Sequence, residues 1–167
     1  MTKVALIADV HGNFPALDAI IASVGEVDLW ICAGDIAGHL PFVDEVAARL
    51  QELGAFCVKG NHDRALVECL AIPGSSAATR VLQLQRRYVS PSTQEWLSRL
   101  PERLDLDIDG RRITVVHGGP RSYLDQKILS VTGEVREFAR GGILVLGHTH
   151  RQLVAADGDA FVINPGP

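Results

Sequence analysis

The sequence of 167 residues predicts an α/β fold organised as a single domain, 1–167. Three observations predict it. Strand-like apolar runs alternate with helical periodicity through the first half, the second half is rich in alternating strand patterns, and five apolar runs end in Gly-rich turns bearing His, Asp or Asn. A chain of this length buries about 70% of its unfolded surface, enough for a substantial core.

The first unit reads strand (4–8), polar turn, helix (15–24), with Leu17, Ile20, Ile21 and Val24 at helical spacing. Its turn carries Asp9, His11, Gly12 and Asn13. In an extended strand, residues two apart face the same side, which would present the Asp9 carboxylate and His11 imidazole together. A second strand (28–33) leads to Gly34 and Asp35, then to a helix with Val43, Val46, Ala47 and Leu50 on one stripe. The third strand (55–59) ends in a turn of Gly60, Asn61, His62 and Asp63. Short turns between alternating elements imply right-handed crossovers and a largely parallel sheet.

Residues 64–100 read as mostly helical, one helix lying within 75–88 and another opening at Ser90, Pro91 and Ser92. Either Ser92 with Glu95 forms a capping box, or Ser90 caps with Pro91 in the first position. Strands follow at 103–108 and 113–116 around an Asp109-Gly110 hairpin signal, and the second runs into His117. A loop over 121–132 has at most one helical turn, near 123–128. A short helix (133–140) precedes the strand 143–146, which ends at Gly147, His148, Thr149 and His150. Strands at 152–156 and 160–163 flank a turn at Asp157 and Gly158.

A net charge of −4 and a pI near 5.8 argue against a protein that grips nucleic acid by its backbone. The pairs Arg86-Arg87 and Arg111-Arg112 read as solvated surface. Cys32, Cys57 and Cys69 are odd in number and lack Cys-x-x-Cys spacing, which fits reduced thiols in a cytoplasmic protein. There is no apolar run of about 20 residues to cross a membrane.

Chemistry concentrates in the turns. Five of the six histidines, His11, His62, His117, His148 and His150, lie after strands, where α/β sheets gather ligands. Asp9, His11, Asp35, Asn61, His117, His148 and His150 offer more donors than one tetrahedral ion needs, and suit two divalent ions sharing a carboxylate. Without a thiolate, the donors favour manganese, iron or zinc. Such a centre stays slightly positive and attracts a phosphate. His62, beside Asn61, is placed to act as general acid, and Asp63 to orient its ring.

Asp9-x-His11-Gly12-Asn13, Gly34-Asp35, Gly60-Asn61-His62-Asp63, His117-Gly118 and Gly147-His148-x-His150, in that order, resemble the calcineurin-like metallophosphoesterase superfamily, in its small prokaryotic phosphodiesterase-like branch. The resemblance implies a four-layer αββα sandwich of two mixed sheets with a dinuclear metal site at one end. It implies that Asp9, His11, Asp35 and His150 hold one ion, and that Asp35 bridges to a second completed by Asn61, His117 and His148. Manganese is the first choice, with iron, zinc, nickel and cobalt as alternatives. His62 matches the catalytic histidine and Asp63 its acidic support.

The implied activity is hydrolysis of a small phosphoester, with a diester preferred, by a metal-bridging hydroxide with His62 as acid. The alternatives are a phosphomonoesterase or protein-phosphatase-like activity, and a catalytically silent interaction protein of the same fold, as in a retromer subunit. Two departures stand out. His39 occupies a loop position where relatives commonly carry an aromatic residue or Asn, and the relatives continue past the Asn164-Pro165-Gly166 turn. The second suggests an open sheet edge through which a homo-oligomer could form.

Overall fold

The computed structural model describes residues 1–167 except for the side chain of Asp157. Strands β1 (Val4–Ile7), β2 (Leu29–Cys32) and β3 (Phe56–Cys57) pair in that order, all parallel. Helices α1 (Phe14–Val24) and α2 (Val43–Glu52) make the two crossovers. Of the two mixed sheets expected, this one is therefore wholly parallel, because each connection is a helix and none is a hairpin. The larger sheet is mixed. Its strands β4 (Arg103–Ile108), β5 (Arg111–Val116), β6 (Gly142–Val145), β7 (Leu153–Asp157) and β8 (Ala160–Asn164) lie in the order β4-β5-β6-β8-β7. The pairs β5-β6 and β6-β8 are parallel, and the hairpins β4-β5 and β7-β8 antiparallel.

Side-chain alternation creates the layers. Ala5 and Ile7 of β1, with Trp30 and Cys32 of β2, face the helices, while Leu6 and Ile31 face the second sheet. On the other side Ile113, Val115 and Val145 fill the space between the sheets. Val116, Leu144 and Val162 turn outward to meet Val135 and Ala139 of helix α6 (Gly133–Ala139). A strand buried on both faces needs apolar residues at odd and even positions alike, which is why β2 and β6 read as continuous apolar runs. The result is a four-layer α/β/β/α sandwich.

Helices α3 (Asn61–Val67), α4 (Ser76–Tyr88) and α5 (Pro91–Arg99) lie on the helical side of the small sheet. The stretch expected as a turn at Asn61, His62 and Asp63 is instead the first turn of α3. The Asp63 carboxylate, three residues into the helix frame, accepts the Gly60 amide at 2.8 Å and so closes its start. In α5, Ser90 is the cap, accepting the Thr93 amide at 3.2 Å, with Pro91 in the first position. The region 121–132 is the expected loop with a single helical turn, closed by the Gln126 amide donating to the Ser122 carbonyl at 3.3 Å, and a Gly119–Ser122 bridge leads into it. The β7-β8 turn falls on Gly158 and Asp159, one residue later than expected.

Arg86 also departs from expectation. It is no solvated surface charge: its guanidinium donates to the carbonyls of Ala65, Leu66 (3.0 Å) and Leu70 (2.9 Å), capping the end of α3 with α4. A cation at a helix C-terminus is favourable, and here it fixes the helix that bears His62. Among the described residues no helix is long and apolar enough to cross a membrane. Cys32 and Cys57 are buried, unpaired register partners on β2 and β3.

Candidate metal centre

The loops that follow β1, β2, β3, β5 and β6 meet at one end of the sandwich. There the backbones zip together: Asp9, His11 and Gly12 donate their amides to the carbonyls of Gly34 (3.0 Å), Asp35 (2.8 Å) and Ile36 (2.7 Å). Across the sheets, the His148 amide donates to Asp9 Oδ1 at 3.0 Å. The β1 strand ends at Ile7, so its pleat does not aim Asp9 and His11. Both occupy the left-handed region, with φ of 54° and 51°. Asp35 (56°), His148 (67°) and His150 (55°) do the same. Left-handed backbone costs an L-residue roughly 1–2 kcal/mol. Five such residues converging on one point mark strain held in place for a purpose.

All seven expected ligands are in the cluster. Asp9, His11, Asp35 and His150 place one donor atom each within 4.8 Å of one another, and so do Asp35, His117 and His148. Asp35 belongs to both groups. Its Oδ2 lies 3.2 Å from His117 Nε2 and 3.6 Å from His11 Nε2. Asn61 Oδ1 faces His117 Nε2 at 3.1 Å and His148 Nδ1 at 2.9 Å, on the Asp35–His117–His148 side.

The imidazoles are oriented for cation binding. Nδ1 of His11 lies 2.9 Å from the Ala37 carbonyl and Nδ1 of His117 lies 2.7 Å from the Ala33 carbonyl. A carbonyl only accepts, so both Nδ1 atoms carry a proton and both Nε2 atoms point inward. His11 Nε2 presents a lone pair, whereas His117 Nε2, between Asp35 Oδ2 and Asn61 Oδ1, carries a proton that a metal ion would replace. His11 Nε2 then confronts His150 Nε2 at 2.9 Å. Facing lone pairs repel unless a proton or a metal ion lies between them. Asp9 Oδ2 is buried with no hydrogen-bond partner. A buried carboxylate oxygen without a donor, beside inward lone pairs, fits a divalent cation.

Charge tells the same story. Burial, reinforced by Asp35, pushes the Asp9 carboxyl up to about 7, against the pull of His117. Burial lowers His11 to about 3 and His148 to about 4. At His117 burial also acts downward, but Asp35 and Asp9 outweigh it and hold the imidazole up at about 9. Asp35 is held below the usual carboxylate range, burial being outweighed by the histidines around it. Without a metal, a proton on His117 takes the cation's role.

His62 is buried beside the cluster, its ring 4.7 Å from that of His11. Asp63 does not orient it. The carboxylate oxygens of Asp63 accept the amides of Gly60 and Ala37, each at 2.8 Å, while His62 Nδ1 is buried without a partner. The expected support of one side chain by the next is thus a backbone staple, because on a helix successive residues point away from each other. His39 is exposed and packs against His11 with ring centroids 4.4 Å apart.

Three supporting residues escaped the sequence reading. Gln85 of α4 is wholly buried and donates to the carbonyls of Gly38 (2.6 Å) and Leu40 (2.7 Å), holding the loop of His39. Asn164 donates to the Gly147 carbonyl (2.6 Å) and to Thr149 Oγ1 (3.1 Å), bracing the loop of His148 and His150. Gly38, at φ 142°, has no room for a Cβ against the His11 ring.

This constellation agrees with the family comparison. The model for the calcineurin-like phosphoesterase superfamily domain matches residues 2–167. The chain belongs to that superfamily. Among curated proteins it is similar to an uncharacterized protein of Methanocaldococcus jannaschii, 23% identical over 99% of this chain and 69% of the relative. Among solved structures, a hypothetical protein from Pyrococcus horikoshii superposes with a TM-score of 0.88 at 24% identity, over 99% of this chain and 77% of that one. A metallophosphoesterase from Sphaerobacter thermophilus gives a TM-score of 0.78 at 27% identity, over 99% and 76%. Calcineurin-like phosphoesterases are metal-dependent hydrolases, and in this phosphoesterase domain two donor groups that could bind metal share Asp35.

Proposed function

We propose that this phosphoesterase hydrolyses a small phosphoester at two divalent ions, with a phosphodiester as the preferred substrate. The observation that carries the reading is the sharing of Asp35 between two donor groups, with the buried Asp9 Oδ2 left free of any protein partner. Asp9, His11, Asp35 and His150 would hold one ion; Asp35, Asn61, His117 and His148 the other. When bound, such a pair lowers the pKa of a water to give a hydroxide nucleophile and clamps the oxygens of an in-line displacement at phosphorus.

The chain's own groups do the rest. The Ala33 and Ala37 carbonyls fix the ring orientations of His117 and His11, so their Nε2 atoms are aimed before any ion arrives. His62, beside the His11 ring, delivers a proton to the leaving oxygen, a role typically worth about 10² to 10⁴ in rate. Mixed imidazole and carboxylate donors with no thiolate suit manganese, iron or zinc alike; manganese is preferred on the resemblance of the motifs, with nickel and cobalt as further competitors. The diester preference follows the phosphodiesterase-like branch that the motifs resemble. Adjacent reduced Cys32 and Cys57 support a cytoplasmic setting.

The test is hydrolysis of bis-p-nitrophenyl phosphate and p-nitrophenyl phosphate by chelator-stripped protein, before and after manganese is added. Metal-restored cleavage of the diester, faster than of the monoester, is the expected result. Faster monoester cleavage would reverse the substrate preference. Two bound ions with neither ester cleaved would remove the enzymatic reading.

A further inference from the structure

Beside the metal ligands opens a cavity of about 500 Å³, within the usual range for small-ligand sites. Asp9, His11 and His150 form one end, with His39 at their side. The rest is mostly apolar: Ile7, Ala16, Leu17 and Ile20 along β1 and α1 with Pro165, joined by the polar Asn13 and Gln152. None of the chemistry assigned above uses that apolar part.

We infer that the apolar part binds the organic group of the substrate, and that this group is a flat or branched hydrocarbon surface of at least phenyl size. The inference rests on the phosphoester reading of the adjoining centre and narrows its substrate class. Three features argue for it. The cavity is continuous with the candidate ligands, so a phosphoryl group at the ions places its ester substituent in the cavity. Away from the ligands its lining carries no charge and is mostly carbon, with Asn13 and Gln152 as the polar side chains, so it rewards apolar area and has no cation for a second phosphate. Its floor is preformed, since Leu17 is almost fully buried in the helical core and the β1 backbone is fixed by pairing with β2.

Ala16 and Ile20 are exposed positions of α1, four residues apart on the same face. Replacing Ala16 by Trp fills the space, and Ile20→Gln makes its rim polar; neither change touches a candidate ligand.

The experiment measures calorimetric binding of phenylphosphonate and methylphosphonate to manganese-loaded protein, with the cleavage of phenyl and methyl p-nitrophenyl phosphate followed in parallel. The expected result is phenyl binding roughly tenfold tighter than methyl, as burial of one ring predicts. In Ala16→Trp that ratio falls toward one, and in Ile20→Gln it falls partway. Equal binding of the two phosphonates by wild type, or binding of neither, overturns the inference. A ratio unchanged in both variants overturns it as well. Phenyl-selective binding without cleavage of any ester upholds the subsite and removes the phosphoesterase reading; cleavage without selectivity does the reverse.

Discussion

Asp35 Oδ1 accepts the backbone amide of His62 at 2.8 Å, so one oxygen of the shared carboxylate is tethered to the first turn of α3 and the other is left to the histidines. One residue thereby fixes the position of the proposed acid relative to both candidate ions. Gly60 keeps this approach possible: any Cβ there would collide with the Asp35 carboxylate and amide.

The Asp35→Asn variant tests the shared role. The amide oxygen can still accept from His62, so the fold should persist, but the charge common to both donor groups disappears. Both ions should bind more weakly, each by more than the 10-fold to 100-fold that outer-shell changes typically cost. Metal content after equilibrium dialysis checks this. Loss of one ion with full retention of the other would show that the carboxylate does not bridge.

Gly38→Ala should act on the first ion alone. A Cβ at Gly38 meets Nδ1, Cγ and Cε1 of His11, and φ of 142° is itself hostile to an L-residue. Displacing the ring breaks the Ala37 contact that sets its tautomer. Gly54→Ala is the control: it too has positive φ, 61°, but open space around it, so it should cost only about 1–2 kcal/mol of stability and leave the metal stoichiometry intact. Metal titration with thermal melts on both variants separates the two effects.

Asp63 should behave as a structural residue. Its carboxylate is fully buried and serves the amides of Gly60 and Ala37, which bind the third strand's loop to the second's. Asp63→Ala strands both amides, at about 1–3 kcal/mol each. The expected result is a clear drop in the denaturation midpoint of the metal-free protein. Were Asp63 instead the partner that tunes His62, the variant would shift the pH profile of turnover while leaving that midpoint in place.

How much of this was legible beforehand depends on the physics behind each feature. The element order and the seven donors were readable because apolar runs and Gly-rich turns are local signals. The aiming of Asp9 and His11 was not, since it depends on left-handed backbone held by amides of another loop. The helical start at Asn61 was hidden by Gly60, which reads as a turn residue but here opens α3. Arg86 reads as solvated surface and Gln85 carries no local signal; their partners are carbonyls far away in sequence. The resemblance supplied the four-layer packing, which alternation in β1, β2, β5 and β6 then explains.

Metal binding should strengthen as pH rises through neutrality, with a sign fixed by two groups. Asp9 titrates near 7 in the metal-free protein and His117 near 9, and each must lose its proton to donate an electron pair to a metal. His11 and His148, lowered to about 3 and about 4, are already neutral at pH 7 and release nothing. At pH 7 Asp9 is roughly half protonated and His117 almost fully so, and filling both sites should release between one and two protons from these ligands, plus up to one more from a water that the ions ionise. Protonation competes with the metal, so affinity should fall as pH drops from 8 to 6. Calorimetry of manganese binding in two buffers of different ionisation enthalpy reads the proton count directly. No proton release at pH 7 would mean that neither Asp9 nor His117 donates to the metal.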